Sequence, residues 1–286
     1  LNRMLVRKKI NEFLEEDVYT GDITTDSIFS EEEETKGTLL AKGEGVFCGK
    51  IVLEEGLRLL DSEAVITWYV EEGDTLERGE KIADIHGKTR ALLTSERVLL
   101  NMIQRMSGIA TATKTAVMRL HDLSIQVCDT RKTAPGLRMF DKYAVRIGGG
   151  TNHRFGLYDA VMIKDNHIAA AGGIKKAVEK VREKAGHMVK VEVETTKEQE
   201  VREAVAAGAD VIMLDNQGPE AVQSLTALIP SVIQTEISGN VTLDNIADYQ
   251  GCGVDFISLG ALTHSVTACD ISFLLETKTT AVPHFS

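Results

Sequence analysis

From residue 124 onward the chain alternates short apolar runs with segments of helical periodicity. The runs are Ser124 to Cys128, Ala160 to Ile163, Val189 to Val193, Val211 to Leu214, Val232 to Ile237 and Phe256 to Leu259. From the third run their starts, at 189, 211, 232 and 256, lie roughly 21 to 24 residues apart. Ile174 to Ala185, Lys197 to Ala207, Pro219 to Leu228 and Leu243 to Tyr249 carry the helical pattern between them, mostly stopping near Gly186, Gly208 or Gly251. Such alternation requires parallel strands joined by right-handed crossovers. An α/β fold built on a βα barrel or open barrel follows, because almost every run ends on a polar residue: Asp129, Lys164, Glu194, Asp215, Ser238 or Gly260. Barrels place their chemistry at these C-terminal strand ends. A doubly wound sheet is the alternative, and no Gly-x-Gly-x-x-Gly after a strand supports it.

Between Asp129 and His167 seven basic residues (Arg131, Lys132, Arg138, Lys142, Arg146, Arg154, Lys164) meet four acids, although the whole chain carries −11. A local cationic excess on an acidic chain suits a small, highly charged anion and argues against a nucleic-acid surface. No run approaches the roughly 18 to 20 apolar residues that span a bilayer. Leu1 to Lys9 lacks the apolar core of a secretory signal, so a cytoplasmic location is expected. Cys48, Cys128, Cys252 and Cys269 are scattered without a Cys-x-x-Cys pair and read as buried thiols.

The strand ends form two chemical groups. Arg131, Lys132, His153, Arg154 and Lys164 suit carboxylate or phosphate oxygens. Glu194 and Asp215 suit sugar hydroxyls, or a magnesium ion held mostly by ligand phosphates. Alternation along Val189 to Glu194 sends Lys190, Glu192 and Glu194 to one face, a costly arrangement unless those charges serve a site. Paired interior ions are the plainer reading. Gly148-Gly149-Gly150, Ser238-Gly239-Asn240 and Gly260-Ala261 could bring backbone N–H groups to a phosphate.

The first hundred residues differ in character. Residues 10 to 16 read as a short amphipathic helix, followed by β-rich runs at Thr38 to Ala41, Gly45 to Cys48 and Ala64 to Val70. Val70 to Ile85 is similar to half of a biotinyl or lipoyl carrier domain, but no lysine on a Met-Lys-Met-like turn is present. Ser95 to Leu120 is helical, with a break expected at Ser107-Gly108 near the domain boundary.

Several ordered blocks closely resemble the quinolinate phosphoribosyltransferase family: Asp129-Thr130-Arg131-Lys132-Thr133-Ala134-Pro135-Gly136-Leu137-Arg138, Gly148 to Arg154 and Lys164-Asp165-Asn166-His167. Glu96-Arg97, Glu192-Val193-Glu194, Leu214-Asp215-Asn216, Glu236-Ile237-Ser238-Gly239 and Leu259 to Ser265 extend the likeness to nearly the whole chain. Tyr19 and Ala134 depart from the family's usual Gly and Thr. The resemblance implies a small two-layer α/β domain, 1–107, to which a tail, 268–286, returns, and an incomplete seven-stranded βα barrel, 108–267. It implies a decarboxylating pentosyltransferase of de novo NAD biosynthesis, acting on quinolinate and phosphoribosyl pyrophosphate with magnesium. The carboxylates of quinolinate would meet Arg131, His153, Arg154 and Lys164, with Arg97 reaching in from a neighbouring subunit of a dimer, or of a hexamer of such dimers. Phosphoribosyl pyrophosphate would be held by Lys132, Glu194, Asp215, Ser238, Gly239 and Gly260, with Glu194 and Asp215 also facing the metal.

Three rivals remain at this level. A Schiff-base aldolase would use Lys132 or Lys164 and requires a lysine of lowered pKa. A carrier module would rest on Val70 to Ile85. The molybdenum-locus paralogue of the same family acts on a related, less securely defined substrate, and the complete Arg131, His153, Arg154, Lys164 set favours quinolinate over it.

Overall fold

The structure is a computed structural model that describes residues 1–276. Its chain divides into two compact units, one of residues 1–111 with the chain from Thr267, the other of residues 112–266.

The first unit opens with α1 (Arg3–Val18) and α2 (Ile23–Ile28). Val6, Ile10 and Leu14, spaced by one helical turn, bury one face of α1. β1 (Glu34–Ala41), β2 (Gly45–Val46), α3 (Lys50–Leu60), β3 (Val65–Trp68), β4 (Thr75–Leu76) and β5 (Lys81–Lys88) follow. Arg3 and Arg7 of α1 hold the buried Glu55 of α3. β5 therefore falls at the end of the Val70 to Ile85 stretch as an inner strand of an antiparallel sheet ordered β12-β1-β5-β3, where β12 is Ile271–Leu275. The chain end thus returns to the first unit, with Leu39 opposite Phe273; the rest of the expected tail, 277–286, lies outside the described residues. Gly37 is needed there, because a Cβ would sit 2.2 Å from the Phe273 ring.

α4 (Thr89–Leu120) begins six residues before the expected helix and runs through Ser107-Gly108 without a break. This corrects the expected interruption, and the division between the units falls inside the helix, between Thr111 and Ala112. Gly108 serves packing instead: a Cβ on it would lie 2.1 Å from the carbonyl oxygen of Thr267.

The second unit alternates β6 (Gln126–Cys128), α5 (Arg138–Ile147), β7 (Val161–Ile163), α6 (Asp165–Ala171), α7 (Ile174–Arg182), β8 (Val191–Thr195), α8 (Glu198–Ala206), β9 (Val211–Asp215), α9 (Pro219–Thr226), β10 (Gln234–Ser238), a 3₁₀ turn (Ile246–Tyr249), β11 (Phe256–Ser258) and α10 (Ala261–His264). Its strands are parallel and ordered β6-β11-β10-β9-β8-β7. The seventh strand position is reduced to one parallel bridge, Cys128 to Thr151, on the other edge of β6. The sheet is therefore an open barrel whose ladder ends at Thr151, two residues before His153. Buried Val191, Val193, Ile212, Leu214 and Ile237 line the faces turned toward the helices.

Candidate active site

Parallel register decides which side chains meet. Met162 stands beside Glu192; Glu194, Met213 and Glu236 form one row; Asp215, Ser238 and Ser258 form the next. These rows, with the loops after β6, β7 and β10, enclose a cavity of about 400 Å³. Arg131, Lys132, His153, Arg154, Lys164, Glu194, Asp215, Ser238 and Gly239 all line it. Gly260 lies at its edge, where a Cβ would meet the Lys132 side chain at 2.8 Å. Thr263 donates its hydroxyl to the Lys132 carbonyl oxygen at 3.0 Å, fixing that loop. Arg97 belongs to the first unit and is not among the lining residues; its side chain is largely exposed, beside Glu96.

The cavity is divided electrically. Lys164 forms an ion pair with Glu194 across the neighbouring strands β7 and β8. Arg154 donates to the Ala160 carbonyl at 2.9 Å, and its pKa is lowered, first by burial and then by the charge of Arg131. Two neighbouring guanidinium charges that disfavour each other favour an anion between them. On the opposite rows Asp215 accepts from Asn216 at 2.6 Å. Gly239, with φ +86°, lets Asn216 approach; a Cβ there would meet the Asn216 amide oxygen at 2.3 Å.

Beneath the cations lies a buried cluster that joins His153 to Glu192 and Glu236, two acids to which the sequence reading gave no role. His153 Nε2 stands 3.0 Å from Glu192 and 3.5 Å from Glu236. Glu236 also accepts from Ser258 Oγ at 2.5 Å, while Glu192 Oε1 has no hydrogen-bond partner among the described residues. Burial, reinforced by the charge of Glu192, raises the Glu236 carboxyl to about 7. For His153 burial opposes the ring's charge, but the hydrogen bond to Glu192 and the charge of Glu236 outweigh it and raise the pKa. Charging the ring would nevertheless put a proton on Nδ1, which accepts the Arg154 N–H at 2.8 Å. That backbone donor favours the tautomer whose proton sits on Nε2, facing Glu192. The three ligand atoms lie within 4.8 Å of one another, and ligation through Nε2 would displace its proton and move the ring's N–H to Nδ1, against the Arg154 N–H.

Lys142 corrects the sequence reading more directly. Counted there with the cations available to an anion, it is fully buried and paired with the equally buried Asp129 at 2.5 Å. Thr130, Met162, Met213, Asn216, Glu236 and Ser258 are cavity residues left unassigned by the sequence. Register could have found Glu236 and Met213, since each lies two residues before an assigned strand end.

Two family models cover the chain: the N-terminal domain of quinolinate phosphoribosyl transferase over residues 22–107 and its C-terminal domain over 109–274. The chain belongs to the quinolinate phosphoribosyltransferase family. It is 53% identical over 272 residues, covering 95% of this chain and 94% of the other, to a Bacillus subtilis (strain 168) protein named "Probable nicotinate-nucleotide pyrophosphorylase (carboxylating)". A Nicotiana tabacum protein named "Quinolinate phosphoribosyltransferase (decarboxylating) 2b, mitochondrial" is 42% identical, covering 90% of this chain and 78% of that one. Among solved structures, NadC from Streptococcus pyogenes aligns with a TM-score of 0.93 at 42% identity, covering 96% of this chain and 98% of that one. The Francisella tularensis nicotinate-nucleotide pyrophosphorylase gives 0.91 at 39% identity with the same coverages. The alternative readings of the chain lose ground. Lys164, paired with Glu194 and 43% exposed, lacks the desolvation a Schiff-base lysine needs. Residues 70–85 fall within the span of the family's N-terminal domain.

Proposed function

We propose that this protein converts quinolinate and phosphoribosyl pyrophosphate to nicotinate mononucleotide, pyrophosphate and carbon dioxide. The observation that carries the proposal is the two-sided cavity, with Arg131, Arg154 and Lys164 on one side and Asp215, Ser238 and Gly239 on the other. A pyridine with two adjacent carboxylates matches the first group through charge-assisted hydrogen bonds. The ribose and its phosphates match the second, with Lys132 beside Gly260 placed for the pyrophosphate.

The chemistry needs little covalent help from the chain. As the bond from the anomeric carbon to pyrophosphate breaks, Glu194 and Asp215 favour the cationic carbon, and Lys132 offsets the charge on the leaving oxygen. The quinolinate nitrogen bonds to that carbon. The ring, now a cation, keeps the electron pair left when the adjacent carboxylate departs as carbon dioxide, and a proton then takes its place. Arg131 and Arg154 have only to hold the ring in line.

Magnesium fits the donor set. Asp215 is a hard oxygen donor on the cavity wall, and Glu194 joins it from the neighbouring strand, although its ion pair with Lys164 leaves it less free. When bound with its phosphates, the ion would neutralise charge on the leaving pyrophosphate.

The proposal extends to a dimer, alone or within a hexamer, in which Arg97 serves the partner's pocket. Arg97 is exposed and outside its own chain's cavity lining, which supports that reading. A cytoplasmic setting accords with four buried free thiols.

An assay of the purified protein for carbon dioxide and nicotinate mononucleotide tests the function, with nicotinate in place of quinolinate as control. Turnover of quinolinate with strong discrimination against nicotinate is expected, because a site built for two carboxylates leaves cations unpaired when one is missing. Comparable turnover of nicotinate would overturn the assignment.

A further inference from the structure

The backbone ladder supports residues 151 to 154 through the single bridge at Thr151. Beyond it, His153 and Arg154 must be held in register with Arg131 by other means. The buried ion pair supplies them. Asp129 Oδ1 accepts both from Lys142 Nζ at 2.5 Å and from the His153 N–H at 2.9 Å. Lys142 Nζ also donates to the His153 carbonyl oxygen at 2.9 Å and stands over the Phe155 ring at 5.1 Å. Asn152 Nδ2 closes the loop, donating to Asp129 Oδ2 at 2.6 Å and to the Lys142 carbonyl at 2.8 Å. Both backbone polar atoms of His153 are thus tied to one ion pair. Both ring nitrogens are engaged as well, Nδ1 by the Arg154 N–H and Nε2 by Glu192.

A buried ion pair is poor evidence for stability, since well-packed apolar residues commonly do as well or better. Its value here is directional. Asp129 lies two residues before Arg131 in the chain, and His153 directly precedes Arg154. Joining Asp129 to His153 therefore fixes the spacing of two guanidinium groups that repel each other and that no ladder aligns. We propose that Asp129, Lys142 and Asn152 are positioning residues that set the carboxylate-binding geometry of Arg131 and Arg154, with His153 as the relay between them. The proposal rests on the quinolinate reading of the site and assigns to His153 a holding role where the resemblance implied contact with substrate.

The test compares Asn152→Ala, which removes two hydrogen bonds and no charge, with the double variant Asp129→Asn and Lys142→Met, which removes both charges together. Kinetics with each substrate, quinolinate binding by calorimetry and thermal melting are measured for both variants and for the unaltered protein. A sub-ångström loss of register in the carboxylate pocket should raise KM and Kd for quinolinate at least about tenfold. KM for phosphoribosyl pyrophosphate should change several-fold less, since of its assigned groups only Lys132 shares the loop after β6, while Asp215, Ser238 and Gly239 lie on or after other strands. A variant that melts earlier but shows equal changes in both KM values, or unchanged quinolinate binding, would overturn the proposal and leave the network a purely structural one. If the double variant does not fold, Asn152→Ala alone decides. Failure of the unaltered protein to convert quinolinate would instead overturn the functional reading, a distinct result.

Discussion

Glu236 shows how a single residue stores the cost of a site. Its carboxyl is raised to about 7, chiefly by burial and then by Glu192, so the folded protein binds that proton more tightly than the unfolded chain. Its stabilising effect is full below the unfolded value of roughly 4.3 and is lost as pH rises through about 7. Glu236→Gln mimics the protonated form at every pH. The variant should therefore gain stability over the unaltered protein, on the order of 2 kcal/mol, between pH 5 and pH 8. Urea unfolding at both values checks this, and a difference that does not grow with pH would show that Glu236 is ionised throughout. Glu194 and Asp215 make a contrasting case, because they line the same cavity but are less buried than Glu236, and the proposal puts their charges to use on the ribose. Glu194→Gln or Asp215→Asn should lower kcat by about 10²- to 10³-fold while changing the quinolinate Kd far less, the signature of charge that acts on a transition state. Near-normal turnover in either variant would remove that residue from the machinery. The types of these residues were legible in the sequence; the pairing of Lys142 with Asp129 was not, because a lysine consumed in a core looks, in sequence, like one offered to an anion.

At the scale of elements, the strands after residue 124 were legible because they are apolar and regularly spaced, and their polar ends fell where the cavity forms. Several helices were missed, and the reasons are identifiable for α3 and α5. α3 lacks a local cap: the Gly49 and Lys50 N–H groups donate to Glu72, more than twenty residues away, at 3.1 and 2.8 Å. No local signal marks such a start. α5 was hidden within the basic segment, where the buried Phe140, Ala144 and Val145 alternate with charges that were counted toward the local cationic excess. Ser107-Gly108 failed in the opposite sense, since a glycine expected to break α4 instead lets the returning chain lie against it. Cys269 N–H donates to the Gln104 carbonyl at 2.9 Å, and Gln104 Nε2 to the Ile271 carbonyl at 2.6 Å, fastening the same segment. Gly108→Ala should cost about 1 to 3 kcal/mol, because a backbone carbonyl 2.1 Å from the new methyl cannot swing aside as a side chain could. Chemical denaturation reads the change, and a variant as stable as the original would show that the tail is free to move.

At the scale of the whole molecule, the proposed dimer can be tested through Arg97. Arg131, Arg154 and Lys164 sit in the cavity of the second unit, whereas Arg97 is borne by α4 in the first, exposed and apart from that cavity's lining. If Arg97 completes the pocket of a second copy, activity belongs to the dimer and two inactive chains can rescue each other. Arg97→Ala spoils the neighbour's site, and Lys132→Ala spoils its own. In a heterodimer of the two, one site receives both substitutions and the other neither. Random exchange makes half of all dimers mixed, each with one intact site, so activity should return to about one quarter of the unaltered level. Mass spectrometry of differently tagged chains confirms the exchange. With exchange established, activity that stays at the level of the separate variants would place Arg97 in the service of its own chain, and the shared pocket would have to be abandoned.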